Sequence, residues 1–428
     1  MHYPRYSEHR LRTALQDTPV VLIHGSRQCG KTTLAQAVGG ELGYHYISLD
    51  DNNQLAAAQT DPVGFVAALP EKTILDEIQR APGLFTSLKA SIDQNRQPGR
   101  FILTGSANIL LLPAVADSLA GRIEIMRLRP LASCEISGKK PMFLEQLFQA
   151  DFSRATDTSK LTRLGETLAQ RICEGGYPAA LARSSETRRV SWYRDFITAL
   201  IQRDIRDITK VKHLELLPRL LSVAASQTAR LFNSSDIASP FAISRPTIRE
   251  YLTLLEQIFL LEQLQPWHNN RLSRLVKTPK MHLTDTGLAC SLLGVDSKTL
   301  WQDKALLGQL LETFVYTELR KHADWSDSES QFFHYRDKDK VEVDIVIQQG
   351  RRLAGVEVKA SATITAADFK GLLKLKAASA EQFACGVVFY DGDSILPFGE
   401  RLFAVPVGVL SAVSRQEPTP DPLHYKEA

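Results

Sequence analysis

The sequence predicts an α/β protein in parts: an N-terminal parallel sheet with helices on its faces, a helical middle ending in a winged-helix pattern, and a C-terminal α/β domain. Three observations predict it. Residues 1 to about 150 alternate short apolar runs with helical runs, the pattern of a sheet covered by helices. Residues 215–270 carry three helical patterns followed by a strand pattern. Near residues 341–359 two strands joined by a Gln-Gly turn follow an amphipathic helix. The expected boundaries are 1–140, 141–213, 214–300 and 301–412, with a polar tail at 413–428.

The first strand is Val20-Val21-Leu22-Ile23, and Gly25-Ser26-Arg27-Gln28-Cys29-Gly30-Lys31-Thr32 follows it, then the helix-forming Thr33-Leu34-Ala35. Strand, glycine-bounded loop and helix make this G-x-x-x-x-G-K-[ST] match a phosphate-binding P-loop. Its N–H groups would face nucleotide phosphates at the positive end of a helix. Lys31 would reach the β- and γ-phosphates, and the Thr32 hydroxyl would hold magnesium. Cys29 is tolerated there rather than catalytic. ATP and Mg2+ are the expected ligands.

Residues 44–49, 73–77, 100–104 and 122–126 supply four more strands. Ile74-Leu75-Asp76-Glu77 places an acid at a strand end, where Asp76 would sit beside the magnesium and Glu77 would polarise the attacking water. At the tip of the next strand Thr104, Ser106 and Asn108 qualify for a contact with the γ-phosphate or the water, and Ser106 is favoured. Gly121-Arg122 makes Arg122 a candidate arginine finger, with a plain surface arginine as the alternative.

The adjacent Asp-Glu pair resembles the additional-strand class of P-loop ATPases, which includes the AAA class. With Leu103 to Ser106, Leu119 to Arg122, Arg129-Pro130-Leu131, Gly175-Gly176-Tyr177-Pro178 and Lys280 to Leu288, most of the chain resembles bacterial and archaeal AAA-class ATPases whose C-terminal half is a domain of unknown function. That resemblance implies Glu77 as general base, Ser106 as sensor and a homo-oligomer in which one subunit lends an arginine to the next.

The middle is expected to be helical, with an arginine-rich amphipathic helix through Trp192-Tyr193-Arg194-Asp195-Phe196-Ile197. Residues 216–225, then Asp236-Ile237-Ala238, then 243–255 give three helices, and Ser244 and Pro246 fit the start of the third. Residues 258–264 would be the first wing strand. The pattern resembles a winged helix-turn-helix, with Arg245 and Arg249 facing outward as candidate DNA contacts. His268 to Arg274, Lys277 and Lys280 would form a basic wing tip. The competing reading is a protein-docking module.

In the C-terminal part, Val341 to Ile347 and Ala354 to Lys359 carry Asp344 on one strand and Glu357-x-Lys359 on the next. Alternate residues share a strand face, so Glu357 and Lys359 point one way. Two carboxylates can hold magnesium and a lysine can activate water. This resembles the PD-(D/E)-x-K nuclease fold of restriction endonucleases, with Glu312 placed to join from a helix. Val343 stands where that pattern has proline, and a surface ion pair of Glu357 with Lys359 is the bland alternative.

Net charge is +3, so any case for nucleic acid rests on local patches. The five cysteines are scattered, which fits a reducing cytosol rather than a disulfide or zinc framework. No apolar run reaches membrane-spanning length and the N-terminus shows no secretory pattern, so a cytoplasmic location and no membrane partner are expected. The function expected is ATP hydrolysis coupled to a DNA-binding half that is a candidate Mg-dependent nuclease. The alternative is an ATP-switched interaction module with an inactive nuclease-like fold.

Overall fold

The computed structural model describes residues 3–106, 121–139, 142–152, 161–208, 214–232, 237, 241, 243–268 and 278–411. Asn108, most of the stretch expected to form the second winged-helix helix, and residues 269–277, expected in the basic wing tip, lie outside them.

The N-terminal sheet has five strands: β1 (Val20–His24), β2 (His45–Ser48), β3 (Thr73–Asp76), β4 (Phe101–Gly105) and β5 (Ile123–Arg127). All pairings are parallel, in the order β2-β3-β4-β1-β5. Side chains alternate between the two faces. Val20, Leu22, Leu75 and Leu103 pack on one side, and Val21, Ile23, Ile74 and Ile102 on the other. Such two-sided burial accounts for the unbroken apolar run Val20 to Ile23 of β1. β4 lies between β1 and β3, so the P-loop and Asp76 leave the same edge of the sheet, one strand apart.

The middle is helical over Phe143–Gln149, Glu166–Glu174, Pro178–Leu181 and Glu186–Ile208. Leu217–Ser226 follows, and Arg245–Gln257 starts where expected, with Ser244 Oγ accepting the Thr247 N–H at 3.3 Å and proline in the first turn.

The remaining strands are β6 (Arg230–Leu231), β7 (Leu261–Pro266), β8 (Lys280–Leu283), β9 (Gln331–Arg336), β10 (Glu342–Gln349), β11 (Arg352–Val358), β12 (Phe383–Tyr390), β13 (Leu396–Gly399) and β14 (Leu402–Pro406). They form one sheet in the order β13-β14-β12-β11-β10-β9-β7-β8-β6. β7 and β8, where the wing is expected, pair antiparallel, and Gln265 and Pro266 of β7 then pair with β9. β7 is therefore not an open edge. One apolar core runs from Phe143 to Leu410, joining the middle helices to the C-terminal strands, and a second gathers around Trp267, Val346, Phe369 and Val388. Among the described residues no helix is long and apolar enough to cross a membrane.

One expectation fails here. Lys280 was assigned to an exposed basic wing tip, yet it is 3% exposed. It lies on β8, flanked by β7 and β6, and its side chain turns inward to two carboxylates.

Candidate functional site

The P-loop joins β1 to the helix Lys31–Glu41. A Cβ at Gly25 would fall 2.0 Å from the carbonyl oxygen of Leu128, so only glycine fits against the strand behind it. Gly30 has φ +104, which a side chain rarely tolerates. The Lys31 ammonium donates to the carbonyls of Gly25 at 3.1 Å and Ser26 at 3.0 Å. Cys29 is buried, with Sγ directed at the Leu128 carbonyl at 3.3 Å.

Asp76, at the end of β3, takes the Thr32 hydroxyl on Oδ1 at 2.8 Å and the Tyr46 hydroxyl on Oδ2 at 2.8 Å. Thr104 also donates to Oδ1. Hydroxyl and carboxylate are the hard oxygen donors magnesium takes, so Thr32 and Asp76 suit that ion. Glu77 is held with φ +58, its N–H on Thr104 Oγ1 at 3.2 Å. Its Oε2 accepts from Ser106 Oγ at 3.0 Å and from the Gln79 amide, which also reaches Ser106 Oγ at 3.0 Å.

The P-loop, Asp76 and Glu77 line a cavity of about 440 Å³. Arg27, Gln28, Cys29, Gly30, Lys31, Thr32, Thr33, Asp76 and Glu77 all face it, joined by Tyr3, Arg5 and Glu8 from the N-terminus and Pro178 and Ala179 from the Gly-Gly-Tyr-Pro segment. That segment is fixed at the cavity wall. Leu131 N–H bonds the Gly176 carbonyl at 2.7 Å, and a Cβ on Gly176 would meet the Leu131 oxygen at 2.3 Å. Arg122 does not line the cavity; its guanidinium holds Asp93 at 2.8 and 3.0 Å. Sequence reasoning missed Tyr46 and Gln79. Tyr46 lies on the strand beside β3, in register with Ile74 and two residues before Ser48, the partner of Asp76, and its hydroxyl reaches Asp76 diagonally.

Behind the P-loop lies a buried charge cluster. Glu262 of β7 accepts from Arg129 Nη1, pairs with Arg127, and takes the Tyr316 hydroxyl at 3.0 Å. Arg129 also donates to Asp324 at 2.8 Å, and Arg320 stands 3.8 Å from Glu262. Burial alone would raise the Glu262 carboxyl; the three guanidiniums outweigh it and hold it well below the usual range. His24, at the end of β1, meets the Phe259 ring edge-on at 5.4 Å. Burial, then the charges of Arg127, Arg129 and Lys31, push His24 down to about 3.

A histidine that titrates lower folded than unfolded lets the unfolded chain bind more protons between those two values. Stability therefore falls as pH drops from about 6.5 toward 3. Against His24→Gln, the native chain is expected to lose ~2 kcal/mol on going from about pH 7 to about pH 5. Paired urea unfolding curves check this, and a gap that does not change with pH contradicts it.

The residues singled out in the C-terminal domain also come together. Lys280 Nζ donates to Glu312 Oε1 at 2.7 Å and to Asp344 Oδ1 at 3.2 Å. Asp344 Oδ2 accepts the Val358 N–H at 3.0 Å, and Lys359 Nζ lies 3.5 Å from Glu357 Oε2. Burial and then the charge of Asp344 push Glu312 up to about 8, and raise Glu357 well above its usual range. Asp344, by contrast, is held low by Lys280 against the effect of its burial. Glu312, Asp344 and Lys359 open on a cleft of about 890 Å³ with Trp301, Lys304 and Asp368. Arg245 and Arg249, the expected DNA contacts, are exposed on the helix Arg245–Gln257.

Comparison with known proteins matches three segments of the chain. The model described as an AAA domain matches residues 17–137, and models of two domains of unknown function, DUF8612 and DUF4143, match residues 165–299 and 307–410. Uncharacterized proteins of Mycobacterium tuberculosis and Mycobacterium bovis are each 28% identical over 401 residues, 93% of this chain and 82% of theirs. Among solved structures, a Walker-type ATPase of Pyrococcus abyssi aligns at 16% identity over 68% of this chain and 96% of its own, with a TM-score of 0.43. The RuvB Holliday junction branch migration motor of Thermotoga maritima aligns at 18% identity over 61% and 90%, with a TM-score of 0.29. Models of an AAA domain and of two domains of unknown function thus match three successive segments of the chain.

Proposed function

We propose that this chain binds ATP with magnesium at residues 25–33 and hydrolyses it. The observation that carries this is the meeting of Thr32 with Asp76 at 2.8 Å, next to a Glu77 carboxylate held at the cavity by Ser106. The P-loop N–H groups and Lys31 bind the phosphates. Thr32 and Asp76 would hold magnesium, which when bound offsets phosphate charge. Glu77 takes a proton from the attacking water as the water oxygen bonds the γ-phosphorus and the bond to the β-phosphate oxygen breaks, leaving ADP and phosphate. Ser106 and Gln79 orient Glu77, and Tyr46 and Thr104 orient Asp76. Arg122 would act as a finger only on a neighbouring subunit, in a homo-oligomer.

Lys31→Ala is expected to weaken a fluorescent ATP analogue about tenfold to a hundredfold, the range of one charged hydrogen-bonding group. Unchanged binding in an equilibrium titration would sink the P-loop assignment.

For the C-terminal half, the reading we favour is an interaction module whose position follows the nucleotide state, with DNA, through Arg245 and Arg249, as the candidate partner. What supports the coupling is the path from the P-loop to Leu128, Arg129 and Glu262. Convergence of Glu312, Asp344, Glu357 and Lys359 favours the second reading, a magnesium-dependent nuclease; the place of Lys280 favours the first.

A further inference from the structure

The nuclease-like pattern implies a divalent metal among Asp344, Glu357 and Glu312, and the residues present do not fit one. Lys280 stands where the ion would. Its Nζ is 2.7 Å from Glu312 Oε1 and 3.2 Å from Asp344 Oδ1, whereas magnesium draws each oxygen to ~2.0–2.1 Å. The remaining Asp344 oxygen already accepts the Val358 N–H, and Glu357 is paired with Lys359. Lys280 is 3% exposed on the inner strand β8, so it is not a flexible surface side chain that could swing away. Among the described residues no group of three or more His, Cys, Asp and Glu side chains is arranged to hold a metal ion.

We propose that Lys280 is the resident cation of this carboxylate cluster, which makes the C-terminal cleft a metal-independent site and leaves a latent divalent-metal site beneath the lysine. The ammonium supplies the positive charge that keeps Glu312 and Asp344 together, and a divalent ion entering beside it would meet like-charge repulsion at close range. Phosphate-bearing ligands in the cleft would then be met by Lys359 and Lys304 directly rather than through a bridging metal. The inference deepens the interaction reading of this half and rests on it.

Mn2+ is the probe, titrated into the full chain without nucleotide and read from the electron paramagnetic resonance signal of free Mn2+. The native chain and Asp344→Asn are expected to bind the same number of ions, because Asp344 holds none. Lys280→Met, which keeps the stem and removes the charge, is expected to gain one Mn2+ per chain, and Lys280→Met with Asp344→Asn to lose it again. A native-chain Mn2+ that Asp344→Asn abolishes would overturn the proposal, as would a folded Lys280→Met with no added ion. If Lys280→Met does not fold, the comparison of the native chain with Asp344→Asn still decides. Binding of labelled duplex DNA in EDTA, compared with Arg245→Ala/Arg249→Ala, reports on the interaction reading alone and keeps the two failures distinguishable.

Discussion

Glu77→Gln is expected to lower ATP turnover about 100- to 10,000-fold, the contribution of a positioned general base, while nucleotide stays bound. Glutamine keeps the shape of the side chain and its hydrogen bonds to Ser106 and Gln79 but accepts no proton from water. Phosphate release should collapse while a filter-retention assay shows ATP, rather than ADP, on the protein. Turnover within a few-fold of the native rate would place the base elsewhere. Because Glu77 holds φ +58 and its N–H is fixed on Thr104, the substitution changes chemistry without requiring a new backbone shape.

Glu262→Ala is expected to be the most damaging single change to stability. It removes the acceptor shared by Arg127, Arg129 and Arg320 and leaves Arg129, 5% exposed, with Asp324 as its carboxylate partner. Removing one member of a buried charge cluster costs ~3–5 kcal/mol, because the remaining charges stay desolvated. A large drop in the urea midpoint is the readout. A loss below ~1 kcal/mol, the worth of an exposed pair, would show that the cluster is effectively solvated. The same residue connects Arg127 and Arg129, behind the P-loop, to β7, so the variant should also change how nucleotide affects protease sensitivity in the C-terminal half.

What was legible in the sequence was local. The P-loop announces itself because strand, glycines and helix are contiguous, and Asp76-Glu77 because an acid pair ends a buried strand. The β10–β11 hairpin was equally readable, since alternation and the Gln349-Gly350 turn lie within one short stretch. Tyr46, Gln79 and Glu262 were not, because each acts through a partner on another element. Tyr46 meets Asp76 across a strand pair, and Glu262 meets Arg129 across a separation of 133 residues. Lys280 misled for the same reason. A lysine near other basic residues suggests a solvated wing tip, and only the folded position of Glu312 and Asp344, 32 and 64 residues on, turns it inward. The wing's merger with β9 was likewise invisible, because edge pairing leaves no periodic signature.

We propose that Asp76 and its neighbours make an ATP-hydrolysing site. The most direct test is steady-state phosphate release by the purified full chain with ATP and Mg2+, beside Asp76→Asn prepared in the same way. The expected result is sustained release by the native chain, dependent on Mg2+ and abolished by the substitution. Release that is equal in the two proteins, or absent from the native chain, would contradict it.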